Sequence, residues 1–323
     1  MSLPAAVELI SRHILARVSV GSKKPSALLP LPPLFHYCQT RVVFVAIQGP
    51  QGSGKSYLTG LTQKFLTDSP HLLRVAVLSI DDLYLSHDGL VSLARQHPSN
   101  PLWKGRGQPG THDVALGVQI LQSLKEGREA VDLPRFDKSL FNGEGDRLPT
   151  DGSNSVHPPI DVVIMEGWCM GFYPISQSGL AEKWDGIWKE QKVTLALQDE
   201  LLGSKGCVQD INLALKAYID LWAFFDVFIQ PAPLTRSHSP YSVIYQWRLE
   251  QEHYMKASNG GKGMSDDAVK LFVDRYIPGY VFFGEGVTEG FTDTDGTCLP
   301  PWLGNGLRIF IDEKRQVTDV QPF

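Results

Sequence analysis

Hydrophobic residues along the chain cluster in five short runs that are separated by amphipathic, polar or glycine-rich segments. Because a half-exposed strand would alternate apolar and polar residues, uninterrupted runs rich in Val and Ile predict strands buried on both faces of a parallel sheet. The five predicted strands are 42–47, 74–80, 160–168, 226–230 and 307–313. Strands separated by helices indicate an α/β fold: a doubly wound parallel five-stranded sheet with helices on both faces and its ligand at the carboxyl ends of the strands.

The chain is expected to form one main domain with additions at its start and between its strands. Residues 1–40 are predicted to hold an amphipathic helix and a Pro-rich extended connector at 21–35. The apolar side of the helix carries Val7, Ile10, Ile14 and Leu15. A single domain is predicted over 41–323, with a helical insertion at about 173–222 and a helical lid region at about 239–280.

Two later helices carry recognisable end signals. One is predicted to begin after Asp113 as N-cap and to end at Gly127. The other is predicted to begin after Ser265 and to end at Pro278 and Gly279. These signals fix the positions of the loops between the helices and the strands.

The stretch GPQGSGKS, residues 49–56, follows the first predicted strand and precedes a predicted helix. We call it the phosphate loop, because its glycines let backbone N–H groups converge on a phosphate and the helix N-terminus adds positive charge. In this pattern Lys55 reaches the β- and γ-phosphates and the Ser56 hydroxyl ligates Mg²⁺. The alternative is an ordinary Gly-rich turn. The predicted nucleotide contacts are Gly49, Pro50, Gln51, Gly52, Ser53, Gly54, Lys55, Ser56 and Tyr57.

Carboxylates follow two of the predicted strands at the edge where the phosphate loop lies. Glu166 is placed to hold Mg²⁺ or its water shell, although a solvated acid at a strand end has the same pattern. Either Asp81 or Asp82 can accept a proton from a substrate hydroxyl, and Asp81 is also a candidate metal ligand. A turn-forming pair of aspartates is the alternative for these two residues.

Two Gly-rich loops offer groups for a substrate. Cations in the loop at 133–147 suit an anionic substrate, whereas a polar surface loop has a similar composition. Another loop carries an arginine and a histidine, and that histidine sits next to a helix cap, which gives it an alternative structural role. The candidate substrate contacts are Arg106, His112, Arg135, Asp137 and Lys138.

Arg248 lies on a predicted helix of the lid region, from which an arginine can cover a transferring phosphate. Most arginines on helices are only solvent-exposed surface residues, so the pattern alone does not decide between that role and a contact with the phosphate. Arg275 and Tyr276 end a helix of the same region, and the pattern does not decide their role.

The overall charge argues against large polyanionic partners. Lys and Arg total 30 against 35 Asp and Glu, a net of −5, so no basic field recruits nucleic acid or an anionic membrane. The sequence does not indicate protein partners. A cytoplasmic location is expected; a mitochondrial presequence is the alternative, since Arg12 and Arg17 lie in the first helix beside Glu8.

The order of the motifs GPQGSGKS, SIDDLYL, GTHD, LPRFDKSLFNGEGDR, EGWCMGF, YQWRLEQE and GMSDDAVKLFVDRYIPGY resembles the D-glycerate 3-kinase family of plants and its fungal relatives. These belong to the P-loop kinases, which include uridine, pantothenate and phosphoribulose kinases. The likeness covers roughly 42–313. It implies a P-loop NTPase kinase fold, ATP and Mg²⁺ as cofactors, and phosphorylation of a hydroxyl on a small metabolite, with D-glycerate to 3-phospho-D-glycerate as the leading case.

The resemblance also implies roles for single residues. It favours Asp81 over Asp82 as the catalytic base. It also implies that Lys55 and Arg248 are catalytic residues that contact the phosphates. Glu166 is expected to act at the Mg²⁺ site. Arg135, Lys138 and Arg106 are the candidates to bind the carboxylate of glycerate. Two alternatives stay open: a kinase for another small metabolite such as a nucleoside, pantothenate or a sugar acid, and an ATP-binding switch protein without metabolite kinase activity.

Overall fold

A computed structural model describes residues 4–21, 41–234, 239–293 and 296–323 of the chain. The predicted Pro-rich connector lies outside these residues, apart from Gly21. The α-helices are α1 (Ala5–Gly21), α2 (Lys55–Thr67), α3 (His87–Gln96), α4 (Val114–Glu126), α5 (Gln177–Asp185), α6 (Ile187–Thr194), α7 (Asp199–Leu202), α8 (Lys205–Ala214), α9 (Tyr218–Trp222), α10 (Ser242–Ser258), α11 (Asp266–Asp274), α12 (Ile277–Phe283) and α13 (Gly286–Glu289). The strands are β1 (Val43–Gln48), β2 (Val75–Ser79), β3 (Val131–Asp132), β4 (Phe136–Asp137), β5 (Asp146–Arg147), β6 (Ser155–Val156), β7 (Val162–Gly167), β8 (Val227–Pro233), β9 (Phe291–Asp293), β10 (Gly296–Cys298), β11 (Gly306–Ile311) and β12 (Val317–Pro322).

The central sheet has the strand order β12-β11-β8-β1-β7-β2. The five predicted strands are all present and pair in parallel, which confirms the α/β class. The expected number of strands was too low, because β12 adds a sixth strand antiparallel to β11. This strand lies at the edge of the sheet and is mostly exposed, so it carries no apolar run that would have revealed it.

Both faces of the sheet are covered by hydrophobic residues. Along β1, Val45 and Ile47 point to one face and pack in the core that also contains residues of α1, α2 and α10. Phe44 and Ala46 point to the other face, where the core includes residues of α4, α12 and the helices between β7 and β8. The alternation of Cβ directions along a strand explains why an unbroken apolar run serves both layers.

The N-terminal helix is part of this core. Val7, Ile10 and Ile14 of α1 are fully buried in the same cluster as Val45 and Ile47. The apolar side of α1 therefore closes one face of the sheet. In the described ranges, no helix has the length and apolar character needed to cross a membrane.

The helix ends follow the sequence signals with one exception. The Asp113 side chain accepts the N–H of Leu116, and Gly127 ends α4 in the left-handed conformation. The expected stop at Pro278 and Gly279 was wrong, because both residues lie within α12. Proline is compatible with the first turn of a helix, where its missing N–H would have no intrahelical partner.

Candidate active site

The phosphate loop joins β1 to α2 at the carboxyl edge of the sheet. Gly52 and Gly54 have φ values of 74° and 89°, which other residues rarely adopt, and Gly54 is the N-cap of α2. The Ser53 hydroxyl is buried without a hydrogen-bond partner among the described residues. Backbone N–H groups, a helix N-terminus and an unpaired hydroxyl together suit a bound phosphate chain.

The helix α10 lies directly on the phosphate loop. A Cβ added to Gly52 would come within 2.4 Å of the backbone carbon of Trp247. The Lys55 ammonium donates to the carbonyl of Pro50 at 3.3 Å and stays inside the loop. Burial lowers the pKa of Lys55, while the nearby carboxylates of Glu166 and Asp81 act in the opposite direction. The lysine therefore sits between the loop and the two acids that the sequence singled out.

Ser56 and Glu166 form the candidate metal site. The Ser56 hydroxyl donates to a carboxylate oxygen of Glu166 at 2.9 Å. The parallel register places Glu166 beside Ile47 of β1, and Glu166 is buried. Two oxygen ligands fit Mg²⁺, which usually takes one or two protein ligands and completes its shell with phosphate oxygens and water. No group of three or more His, Cys, Asp or Glu side chains that could hold a metal ion occurs in the described part of the chain.

Asp81 and Asp82 have different partners in the 3-10 turn Ile80–Leu83 that follows β2. The Asp82 carboxylate accepts the backbone N–H of Phe136 at 3.0 Å, which ties the turn to β4. The Asp81 carboxylate accepts the Tyr84 hydroxyl at 3.0 Å and the Lys138 ammonium at 2.5 Å. Asp81 thus faces the charged groups of the site, whereas Asp82 has a structural contact. Asp81 makes no described hydrogen bond with Ser56 or Glu166, so the structure does not join it to the candidate metal site.

The protonation of Asp81 reflects two opposing effects. Burial alone would raise the pKa of this carboxyl, but the Lys138 ammonium, with smaller effects from His112 and Lys55, holds the pKa at about 2. Burial raises the pKa of Asp82, against the effect of the Phe136 N–H. Asp81 is therefore ionised near neutral pH, as a residue that accepts a proton from a hydroxyl has to be.

His112 lies beside Tyr84 and near Asp81. Its ring stacks on Tyr84 with a centroid distance of 4.5 Å, and its Nδ1 lies 2.7 Å from the Tyr218 hydroxyl. Burial lowers the pKa of His112 to about 4, against the effect of the Asp81 charge. The ring is neutral near pH 7, and its Nε2 is buried without a partner among the described residues. We call the space around Asp81, Tyr84, His112, Lys138 and Tyr276 the acceptor pocket.

The other predicted substrate contacts are placed differently. Arg106 donates to the carbonyl of Gly143 at 2.6 Å and so holds the loop that carries Lys138. Arg135 is exposed and turns to Asn154, with 3.4 Å between the guanidinium and the amide oxygen. Asp137 accepts the N–H and the hydroxyl of Ser139. The structure therefore brings His112 and Lys138 to Asp81, but it does not bring Arg135 or Asp137 there.

Arg248 is buried on α10 beside the phosphate loop. Its guanidinium pairs with Glu252 at 2.7 Å and lies over the ring of Phe272. One nitrogen, Nη1, is buried without a hydrogen-bond partner in the described residues. An arginine with a spare donor next to the phosphate loop fits the predicted contact with the transferring phosphate.

Sequence patterns do not assign a role to three residues that shape the site. Tyr276 lies in the acceptor pocket and packs edge to face on Trp168; a Cβ at Gly107 would come within 2.6 Å of the Tyr276 hydroxyl. Tyr218 comes from the helical insertion, where an aromatic residue looks like a core position. Arg315 donates to the carbonyl of Gly52 at 2.7 Å from the β11–β12 connection. The LFVDRYIPGY motif pointed to the region of Tyr276 without giving its role.

Comparison with known proteins identifies several kinases. The chain is 36% identical over 252 residues to the probable ATP-dependent kinase TDA10 of Saccharomyces cerevisiae, covering 75% of this chain and 77% of that protein. It is 32% identical over 277 residues to the chloroplastic D-glycerate 3-kinase of Arabidopsis thaliana, covering 84% of this chain and 53% of that protein. The solved structure of D-glycerate 3-kinase from Cryptococcus neoformans var. grubii matches with a TM-score of 0.82 at 36% identity, covering 99% of this chain and 100% of that chain. The chain matches no protein-family profile.

Proposed function

Since the chain belongs to the D-glycerate 3-kinase family of P-loop kinases, we propose that it transfers the γ-phosphoryl group of ATP to D-glycerate and forms 3-phospho-D-glycerate. The observation that supports this acceptor is the ion pair between Lys138 and Asp81 at 2.5 Å. An acceptor with a hydroxyl and a carboxylate uses both residues: its hydroxyl faces the base and its carboxylate takes the ammonium. A neutral acceptor has no carboxylate for Lys138, so the Lys138 ammonium would stay paired with Asp81.

Each side of the site has a role in this proposed reaction. Asp81 accepts the proton of the attacking hydroxyl, whose oxygen bonds to the γ-phosphorus while the bond from that phosphorus to ADP breaks. Lys55 and Arg248 offset the negative charge that develops on the transferred group. Ser56 and Glu166 are the residues that would hold Mg²⁺, which would supply positive charge to offset the negative charge of the phosphates.

The proposal extends to the organisation of the chain. Residues 41–323 act as one kinase domain to which the helix α1 is packed, with the insertion at about 173–222 and the lid region at about 239–280. The protein acts on a small molecule in the cytoplasm and does not require a nucleic acid. Fractionation with compartment markers tests the location; recovery in mitochondria would contradict it.

The direct test is a coupled assay of ADP release with ATP and Mg²⁺ and a panel of D-glycerate, L-glycerate, uridine, pantothenate and ribulose 5-phosphate. We expect ADP release that depends on D-glycerate, with 3-phosphoglycerate as the identified product. Stimulation by another compound would keep the kinase and replace the acceptor. Silence across the panel with ATP still bound would support the alternative of a nucleotide-binding switch protein.

A further inference from the structure

The hydrogen bonds around Tyr218 constrain the position of the proton on His112. The Tyr218 hydroxyl oxygen accepts the backbone N–H of Gly110 at 2.9 Å, and it lies 2.7 Å from Nδ1 of His112. A phenol hydroxyl has one proton to donate. Among the described residues, no other acceptor is within hydrogen-bond distance of this hydroxyl, so its proton goes to Nδ1 of His112.

The opposite arrangement is energetically unfavourable. If Nδ1 carried the proton, the Tyr218 O–H would have no acceptor and Nε2 would be an unpaired acceptor, so two buried groups would lack a partner instead of one. Tyr218 is only 1% exposed, so water does not compensate that loss. A buried donor or acceptor without a partner is destabilising. The neutral ring therefore carries its proton on Nε2.

The Nε2–H group then has no partner in the described part of the molecule, although it is fully buried. The histidine ring stacks on Tyr84, whose hydroxyl donates to Asp81, and residues 84 and 112 also form a backbone bridge. These contacts hold the ring beside the base. Buried donors are nearly always paired, and an orphaned one next to a base indicates a ligand atom.

We propose that Tyr218 fixes His112 as the tautomer protonated on Nε2, and that this N–H donates a hydrogen bond to an oxygen of the acceptor beside Asp81. Tyr218 is thus a positioning residue, and His112 is the residue that touches the substrate. The identity of the acceptor rests on the function proposed above, whereas the tautomer does not. The proposal also gives the helical insertion a direct role in the acceptor pocket, because Tyr218 begins α9.

The tautomer is tested by long-range ¹H–¹⁵N correlation spectra of the full-length protein labelled on histidine. We expect His112 to show the pattern of a neutral ring protonated on Nε2, and Tyr218→Phe to mix in the other tautomer. Tyr245→Phe is the matched control, because it removes a tyrosine hydrogen bond of 2.7 Å to Asp274 outside the pocket. A wild-type ring protonated on Nδ1 would overturn the proposal.

The donor role is tested by kinetics with D-glycerate. His112→Leu should raise the KM for the acceptor by about 10-fold, the loss of one buried hydrogen bond, with the KM for ATP unchanged. His112→Gln retains an N–H donor and should restore most of the loss. An acceptor KM that is unchanged in His112→Leu would overturn the donor role. If the wild-type protein does not phosphorylate D-glycerate, the proposed function fails. The spectra still decide the tautomer in that case. The acceptor found by the panel then replaces D-glycerate in the kinetic test.

Discussion

The nucleotide side and the acceptor side of this site are built in different ways. The nucleotide side is one contiguous loop of backbone N–H groups, whose shape depends on glycines at 52 and 54 and on the start of α2. The acceptor pocket is made of side chains from the turn after β2, the loop before α4, the β4–β5 hairpin and α11–α12. Local backbone geometry therefore shapes the phosphate loop itself, on which α10 and Arg315 pack from distant parts of the chain, whereas long-range packing forms the whole acceptor pocket.

Because of this difference, the two sides should respond differently to amino-acid substitutions. A backbone cradle binds any phosphate chain and is shared by many unrelated proteins, whereas the acceptor pocket carries the selectivity. Substitutions in the phosphate loop should therefore affect binding of the nucleotide, and substitutions around Asp81 should affect turnover or the KM for the acceptor.

The largest expected effect is at the base. Replacing Asp81 by Asn should lower kcat by about 10²-fold or more, because the substrate hydroxyl loses its proton acceptor. Binding of ATP, measured by calorimetry, should persist. Asp82→Asn is the control, since its amide oxygen can still accept the Phe136 N–H. Equal losses in both variants would remove the distinction between the two acids.

A methyl group at Gly52 should damage the nucleotide side. The added Cβ would overlap the backbone of Trp247 in α10, and φ at this position is positive. Overpacking of this kind costs about 1–3 kcal/mol, and we expect Gly52→Ala to weaken ATP binding and lower the melting temperature. Gly60→Ala on α2 is the control, because nothing lies within 4 Å of its added Cβ. A variant at Gly52 that binds ATP normally would contradict the close packing of α10.

Two cations of one loop should differ in their effect on the acceptor. Lys138→Met removes the ammonium beside Asp81 and should raise the KM for D-glycerate by about 10-fold or more, since a hydrogen bond to a charged group contributes about 1.5–3 kcal/mol. Arg135→Met should leave that KM nearly unchanged, because Arg135 turns to Asn154. Initial rates at saturating ATP measure both. A larger effect at Arg135 would show that the loop rearranges when the substrate binds.

The smallest expected effect is at Arg315, which links the β11–β12 connection to the phosphate loop and to α10. Its guanidinium bonds to the carbonyl of Gly52 and pairs with Glu250 of α10. Arg315→Ala should raise the KM for ATP by about 2- to 10-fold, the range of one hydrogen bond, without changing the acceptor KM. Lys314→Ala is the control, since Lys314 is exposed. An effect on the acceptor alone would contradict this link.

Most of the fold and the position of the phosphate loop follow from local patterns, because apolar runs give buried strands and the loop has its own motif. The edge strand β12 and the contacts that α10 and Arg315 make with the loop have no such local pattern. The choice between Asp81 and Asp82 depends on a backbone N–H of β4, which no local pattern reveals. The same limit explains why Arg135 looked equivalent to Lys138, since only the fold of the β4–β5 hairpin determines which cation faces the base.

The order of the strands has a consequence for how the enzyme is made. β1, the first strand of the chain, lies between β7 and β8, where Val43 pairs with Val162 and Val45 with Val227. During synthesis, β1 therefore has no sheet partner until β7 has left the ribosome, and its second partner, β8, follows only after the insertion. Long-range pairing of this kind folds slowly. The strand that supports the phosphate loop is consequently enclosed on both sides only after the insertion has been made.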